Sequence, residues 1–184
     1  AERVPAILHA WYPGEQGGHA LADILLGRAN PSGRLPVTVY RTVDDLPPFE
    51  EYALAAAPLG RTYRYFRGRP LFPFGHGLSY TRFAYNRLRV AGGRVLVDIT
   101  NVGETAGDEV AQLYVSVERA AAPLRELKGF ARVTLQPGET REVAFVLPPL
   151  RTWVDGWREE TGAVTVAVGA SSADIRLSVV AQVS

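Results

Sequence analysis

The chain has 184 residues, 47% of them hydrophobic and 21% charged, with a formal net charge of +1. That is enough to bury a core in one or two domains, and it leaves no global field to attract nucleic acid or an anionic membrane. With no cysteine, disulfides, zinc–thiolate centres and thiol catalysis within the chain are excluded, and no apolar run approaches the roughly 20 residues of a membrane-spanning helix.

The first element is a continuous apolar run, Val4 to Tyr12, read as a strand with His9 as a core residue inside it; Pro13-Gly14 stops it. After Gly17-Gly18 a short helix is predicted, with Ala20, Leu21, Ile24 and Leu25 on one face. Strand, glycine-rich loop and helix make half of a βαβ unit, which needs parallel neighbours. The chain, which starts Ala1-Glu-Arg-Val-Pro without methionine, is therefore expected to be the tail of something longer. A second short strand is predicted over 34–40, an irregular loop over 44–52 around Pro47-Pro48, and a helical or coil spacer over 53–57.

Residues 60–82 read as a stiff connector. Pro70, Pro73, Gly75 and Gly77 forbid long regular structure, while Phe72, Phe74, Leu78 and Tyr80 are too apolar to stay in water. Such a segment should lie pinned along a surface. From Phe83 the pattern is β throughout, with strands predicted over 83–90, 94–101, 109–117, 128–135, 140–147, 163–169 and 174–182. Turn signals such as Gly92-Gly93, Pro137-Gly138 and Asp155-Gly156 separate them. Seven short strands with such spacing predict an immunoglobulin-like sandwich, and the missing cysteine pair points to its fibronectin III-like side.

Few residues present chemistry. Glu15, with Trp11 and Gln16 nearby, lies in a loop at the carboxyl end of the first predicted strand, where open α/β sheets place ligands. Glu15 can act as a general acid and Trp11 as a sugar-stacking platform. The plainer reading makes Trp11 a buried anchor and Glu15 a carboxylate in the first turn of the helix, favoured by its dipole. Glycosidic hydrolysis needs a second carboxylate across the scissile bond, and the sequence presents no obvious one.

The spacing Gly14-x-x-Gly17-Gly18 suits a tight turn better than an anion cradle, since it matches neither the Walker loop nor the dinucleotide fingerprint. The alternation Arg61, Tyr63, Arg64, Tyr65 reads as an edge strand bridging two domains, or as a grip on a sugar. Asp108-Glu109 and Glu126-Leu-Lys-Gly129 read as turn and strand-edge residues, and Glu159-Glu160 as a solvated charge pair. His9, His19 and His76 have no metal-ligand spacing, so no metal or cofactor is expected.

Blocks spread over almost the whole chain resemble glycoside hydrolase family 3. They are Ala10-Trp-Tyr-Pro-Gly-Glu-Gln-Gly-Gly18, Asn30-Pro-Ser-Gly-Arg-Leu-Pro36, Gly60-Arg-Thr-Tyr-Arg-Tyr65 and Pro73-Phe-Gly-His-Gly-Leu-Ser-Tyr-Thr81. Thr100-Asn-Val-Gly103, Gly107-Asp-Glu-Val-Ala-Gln-Leu-Tyr-Val115, Glu126-Leu-Lys-Gly-Phe130 and Pro137-Gly-Glu139 resemble the fibronectin III-like domain that ends many members. The resemblance implies the end of an α/β sandwich domain over 1–59, a connector over 60–82 and a fibronectin III-like domain over 83–184. It implies a parent enzyme, an exo-acting retaining β-glucosidase or β-xylosidase, acting on terminal β-linked sugars.

The family's aspartate nucleophile belongs to a barrel, and its acid/base glutamate to an earlier sandwich segment. No catalytic residue is therefore carried onto this chain, and Trp11, Glu15 and Gln16 remain substrate-proximal candidates. The expected partners are the barrel and the remaining sandwich domain, in the same polypeptide or as a separate chain. A stand-alone module binding carbohydrate or protein, with Trp153 and Trp157 as stacking surfaces, is the alternative reading.

Overall fold

The computed structural model describes residues 4–55, 58–153 and 155–183; residues 56–57 of the expected spacer lie outside them. Helix α1 spans Gly17–Leu25, a 3-10 turn Val43–Asp45, and a single helical turn, α2, Thr62–Tyr65. Among the described residues nine strands follow: β1 (Phe83–Ala91), β2 (Arg94–Asn101), β3 (Gly107–Val117), β4 (Glu126–Leu135), β5 (Thr140–Val146), β6 (Arg151–Trp153), β7 (Trp157–Glu159), β8 (Gly162–Gly169) and β9 (Ile175–Val183).

The strands form an antiparallel sandwich. One sheet has the order β1-β2-β5, the other β4-β3-β8-β9, and β6 and β7 make a separate hairpin. Alternation decides which side chains enter: Val95, Val97 and Ile99 of β2 meet Leu113 of β3, Leu135 of β4, and Val166 and Val168 of β8 in a core fully shut from water. At the end of β2 the carboxamide of Asn101, also fully buried, is satisfied on both sides. Its Nδ2 donates to the carbonyls of Thr105 and Leu135, and its Oδ1 accepts from the Thr81 hydroxyl at 2.6 Å and from Gly103 N.

The N-terminal third departs from its sequence pattern. Val4–Tyr12 forms no strand, and His9, expected in a core, is exposed with Ile7, Trp11 and Tyr12. A strand is held by its ladder, and among the described residues none runs beside this segment. The strand expected over 34–40 becomes one antiparallel bridge to the connector, Val39 to Phe72. Leu35 N donates to His76 O, Gly75 N to Leu35 O, and Val39 N to Phe72 O. These bonds bind the first region to the connector, not to a sheet of its own.

The expected edge strand at 61–65 is instead the helical turn α2. Positive φ at Gly60 (+76°) and Thr62 (+59°) curls the chain, and Thr62 N donates to the Tyr40 hydroxyl at 2.8 Å. The bridging role survives the change of conformation. Tyr63 stacks on Phe74 at 4.3 Å, its hydroxyl accepts from Leu127 N, and Leu124 N donates to Arg64 O. The prolines and glycines leave the connector no ladder of its own, so its backbone groups are met from two sides, by Leu35 and Val39 of the first region and by Gln112 and Ser172 of the sandwich.

Gly75 shows how closely. Its carbonyl accepts from Gln112 Nε2 at 3.2 Å, and a Cβ added to it would lie 2.0 Å from Gln112 Oε1 at a φ of +81°. Gly138 has nearly the same φ, +77°, but open space around it. Gly138→Ala is expected to cost about 1 kcal/mol, the strain of the left-handed backbone alone, and Gly75→Ala about 3 kcal/mol with the steric conflict added. Urea denaturation of both variants checks the difference; equal losses would mean that Gln112 gives way freely.

Candidate functional site

The three candidate residues sit on one surface loop. Trp11 takes a φ of +52°, a conformation that costs a bulky residue about 1–3 kcal/mol and concentrates at functional sites. The residue is 56% exposed, with the His9 ring edge-on at 4.7 Å. It is not the buried anchor of the plainer reading. The chain then turns, with Gly17 N donating to Gly14 O at 2.9 Å. Gly17 is buried, and an added Cβ there would strike Pro13 Cβ at 2.4 Å. Gly17 thus serves a tight turn.

Gln16 is the residue capping α1, without a side-chain cap bond, and Glu15 precedes it. Glu15 therefore stands outside the first helical turn, contrary to the dipole reading. Both side chains are exposed, and neither makes a hydrogen bond or ion pair among the described residues. The arrangement offers an aromatic face, a carboxylate and an amide on one rim, free to meet a polyhydroxylated ligand. Among the described residues no group of three or more His, Asp or Glu side chains converges as a metal site.

What fixes this region against the sandwich is a polar clamp built from the Asn30-Pro-Ser-Gly-Arg34 turn. Asn30 Oδ1 accepts from the Ser79 hydroxyl and from Tyr80 N, while its Nδ2 donates to Ala106 O. The Tyr80 hydroxyl donates to the Ile24 carbonyl near the end of α1. Arg34 is buried and donates to the Ser32 and Gly33 carbonyls, and its Nη2 lies 3.4 Å from both oxygens of buried Glu109. The Tyr85 hydroxyl donates to the same carboxylate at 3.1 Å.

Burial first, then the charge of Glu109, pushes the Tyr85 phenol well above its ordinary value. Burial, then the charge of Arg34, lowers His76 below its ordinary 6.5, with Asp174 opposing. Nothing in the sequence marks Glu109 as more than an edge residue. Only its partner, 75 positions away, makes it a buried ion. Likewise Glu159 and Glu160 are not a free charge pair: they meet Arg151 and Arg119.

Comparison with known proteins places the chain by family and by fold. Residues 1–80 match the Glycosyl hydrolase family 3 C-terminal domain, and residues 109–172 the Fibronectin type III-like domain. The chain is 38% identical to a probable beta-glucosidase K of Emericella nidulans, across 100% of this chain and 24% of that protein. It is also 38% identical to a xylan 1,4-beta-xylosidase of Xylanibacter ruminicola, across 94% of this chain and 21% of that protein. Beta-glucosidase 3B from Thermotoga neapolitana superposes with a TM-score of 0.84 at 36% identity, covering 95% of this chain and 28% of that one. A GH3 beta-glucosidase from Bifidobacterium adolescentis gives 0.85 at 33%, covering 95% and 29%. The chain thus spans about a quarter of the length of the curated relatives it matches.

Two outcomes are expected of the clamp. Glu109→Gln strands the Arg34 charge in the interior and lowers stability by about 3 kcal/mol, readable as a shifted urea midpoint. Below pH 6.5 the unfolded chain takes up a proton at His76 that the folded protein resists, so this contribution is whole above 6.5 and fades as pH falls towards the lowered folded value. The melting temperature should fall between pH 7.5 and pH 5 by less in His76→Phe than in the parent. An equal fall in both would remove His76 from the account.

Proposed function

The chain belongs to glycoside hydrolase family 3, and from that premise we propose that it forms part of a retaining, exo-acting β-glycosidase releasing terminal β-linked glucose or xylose. The observation that carries the reading is the order of the two family matches along one chain, α/β C-terminal domain first and fibronectin III-like domain after it. The relatives named beta-glucosidase and xylan 1,4-beta-xylosidase supply the reaction class.

Retention of configuration uses two carboxyl groups about 5–5.5 Å apart, one as nucleophile and one as acid then base. In this reading both lie on other parts of the protein, a barrel and an earlier segment of the α/β sandwich. This chain contributes structure and a rim. Residues 1–59 complete the α/β sandwich, 60–82 are the clamped connector and 83–184 the fibronectin III-like domain. The apolar surface along Val4–Tyr12 then lies against the rest of the α/β domain, and Trp11, Glu15 and Gln16 border the substrate cleft. By itself the chain is inactive, and its partners are the other domains of the same enzyme.

The test compares the full-length protein with the isolated chain on aryl β-glucoside and aryl β-xyloside. Full-length protein turns over at least one of them, and the isolated chain neither. In the full-length protein Trp11→Ala should raise KM about threefold to tenfold with kcat within about twofold, as loss of a stacking contact does. Glu15→Gln should leave kcat within about twofold, whereas loss of a general acid costs 10²-fold or more. A collapse of kcat in Glu15→Gln, or turnover by the isolated chain, would contradict the assignment.

A further inference from the structure

One groove lies away from the Trp11 loop and takes no part in the clamp. It has a volume of about 900 Å3 and crosses the sandwich between α2 and the β6–β7 hairpin, bordered by Arg64, Tyr65, Arg119, Lys128, Trp153 and Trp157. We propose that this groove is an accessory binding site for a twisted β-1,4-linked polysaccharide chain of the xylan type. The choice of ligand class rests on the reading of the protein as a β-glycosidase; the groove itself does not.

The tryptophans carry the argument. Each strand of the hairpin has only three residues, and Trp153 faces Trp157 across it. Cross-strand contact stabilises such a hairpin, but it does not require the rings to stay open. They are 65% and 69% exposed, at the edge of a concave surface. Large aromatic surface left open beside a groove is the usual mark of a binding platform. The ring planes stand 82° apart with centroids at 5.5 Å. A flat ribbon such as cellulose cannot lie on both faces at once. A chain that turns about its axis from one sugar to the next can meet the first ring on one face and the second nearly at a right angle.

The charges around the platform fit a neutral, hydroxyl-rich ligand better than an anion. Arg64 and Lys128 both pair with Glu126, and Arg119 with Glu160 at 3.2 Å while it donates to the Thr152 hydroxyl at 2.7 Å. Arg151, which also lines the groove, pairs with Glu159, so four cations meet three carboxylates and the lining carries little net charge while offering both N–H donors and carboxylate acceptors. Sugar hydroxyls, each both donor and acceptor, can use both kinds. The size suits an oligomer, since the volume lies near the upper end of ordinary ligand sites of about 300–1,000 Å3.

Affinity electrophoresis of the full-length protein in the cold, through gels holding soluble xylan or hydroxyethyl cellulose, tests the proposal. Xylan should retard the parent protein, and the dissociation constant read from that retardation should rise at least tenfold in both Trp153→Ala and Trp157→Ala. Trp157→Phe, which keeps an aromatic pair across the hairpin, should retain part of the binding. Hydroxyethyl cellulose should retard the parent far less than xylan does. Aryl β-glycoside turnover in the same preparations should be equal in all four proteins. Unretarded parent protein, alanine variants retarded like the parent, or stronger retardation by hydroxyethyl cellulose would each overturn the site. Retardation that depends on the tryptophans in a protein with no glycosidase activity would leave the groove standing and overturn the proposed reaction instead.

Discussion

A buried guanidinium has to be met by a carboxylate, and in this protein that requirement joins segments far apart in the chain. Arg34 leaves the Asn30 turn and enters the sandwich to reach Glu109 of β3, on which Tyr85 of β1 also donates. Either charge left alone would be strongly destabilising, so the turn, the connector and both sheets must arrive together. Asn30 adds three neutral bonds at the same place, two to the connector and one to the β2–β3 turn. Glycines make the approach possible. A Cβ at Gly77 would lie 2.2 Å from Gly33 O, and one at Gly107 2.5 Å from Asn30 Nδ2.

The connector follows from this arrangement. Its prolines and glycines prevent a ladder of its own, so its polar backbone and aromatic rings are satisfied from outside. Leu35 and Val39 bind it on one side; Gln112, Leu127 and Ser172 bind it on the other. The Tyr63–Phe74 stack, with the edge of Tyr114 at 6.0 Å, seals the contact. The result is a stiff joint, and it sets the orientation of α1 and of the Trp11 loop before it relative to the sandwich. In the proposed reading, with the reacting groups on other domains, such a brace gives position without chemistry.

The sandwich was legible because alternation reports a local fact: Val95, Val97 and Ile99 face one way in any strand that contains them. The two strands expected over Val4–Tyr12 and 34–40 do not form, since both carry strand composition but depend on partners that composition does not supply. Arg61 to Tyr65 alternates like an edge strand, yet positive φ at Gly60 and Thr62 turns it into a helix. The short β6–β7 hairpin was visible only as its Asp155-Gly156 turn. Of the candidate site, the residues Trp11, Glu15 and Gln16 were readable as one loop motif. The exposure of Trp11, the placing of Glu15 ahead of the helix and the burial of Glu109 were not, because each depends on three-dimensional neighbours.

Native-state hydrogen exchange reads most directly whether connector and sandwich are one cooperative unit. The amides of Leu35, Gly75 and Ser172, each bonded to or within the connector, are predicted to exchange through the same opening, with the same free energy, as the core amides of β2 and β3. Exchange of those three through a separate, low-energy opening, while β2 and β3 stay protected, would contradict the account.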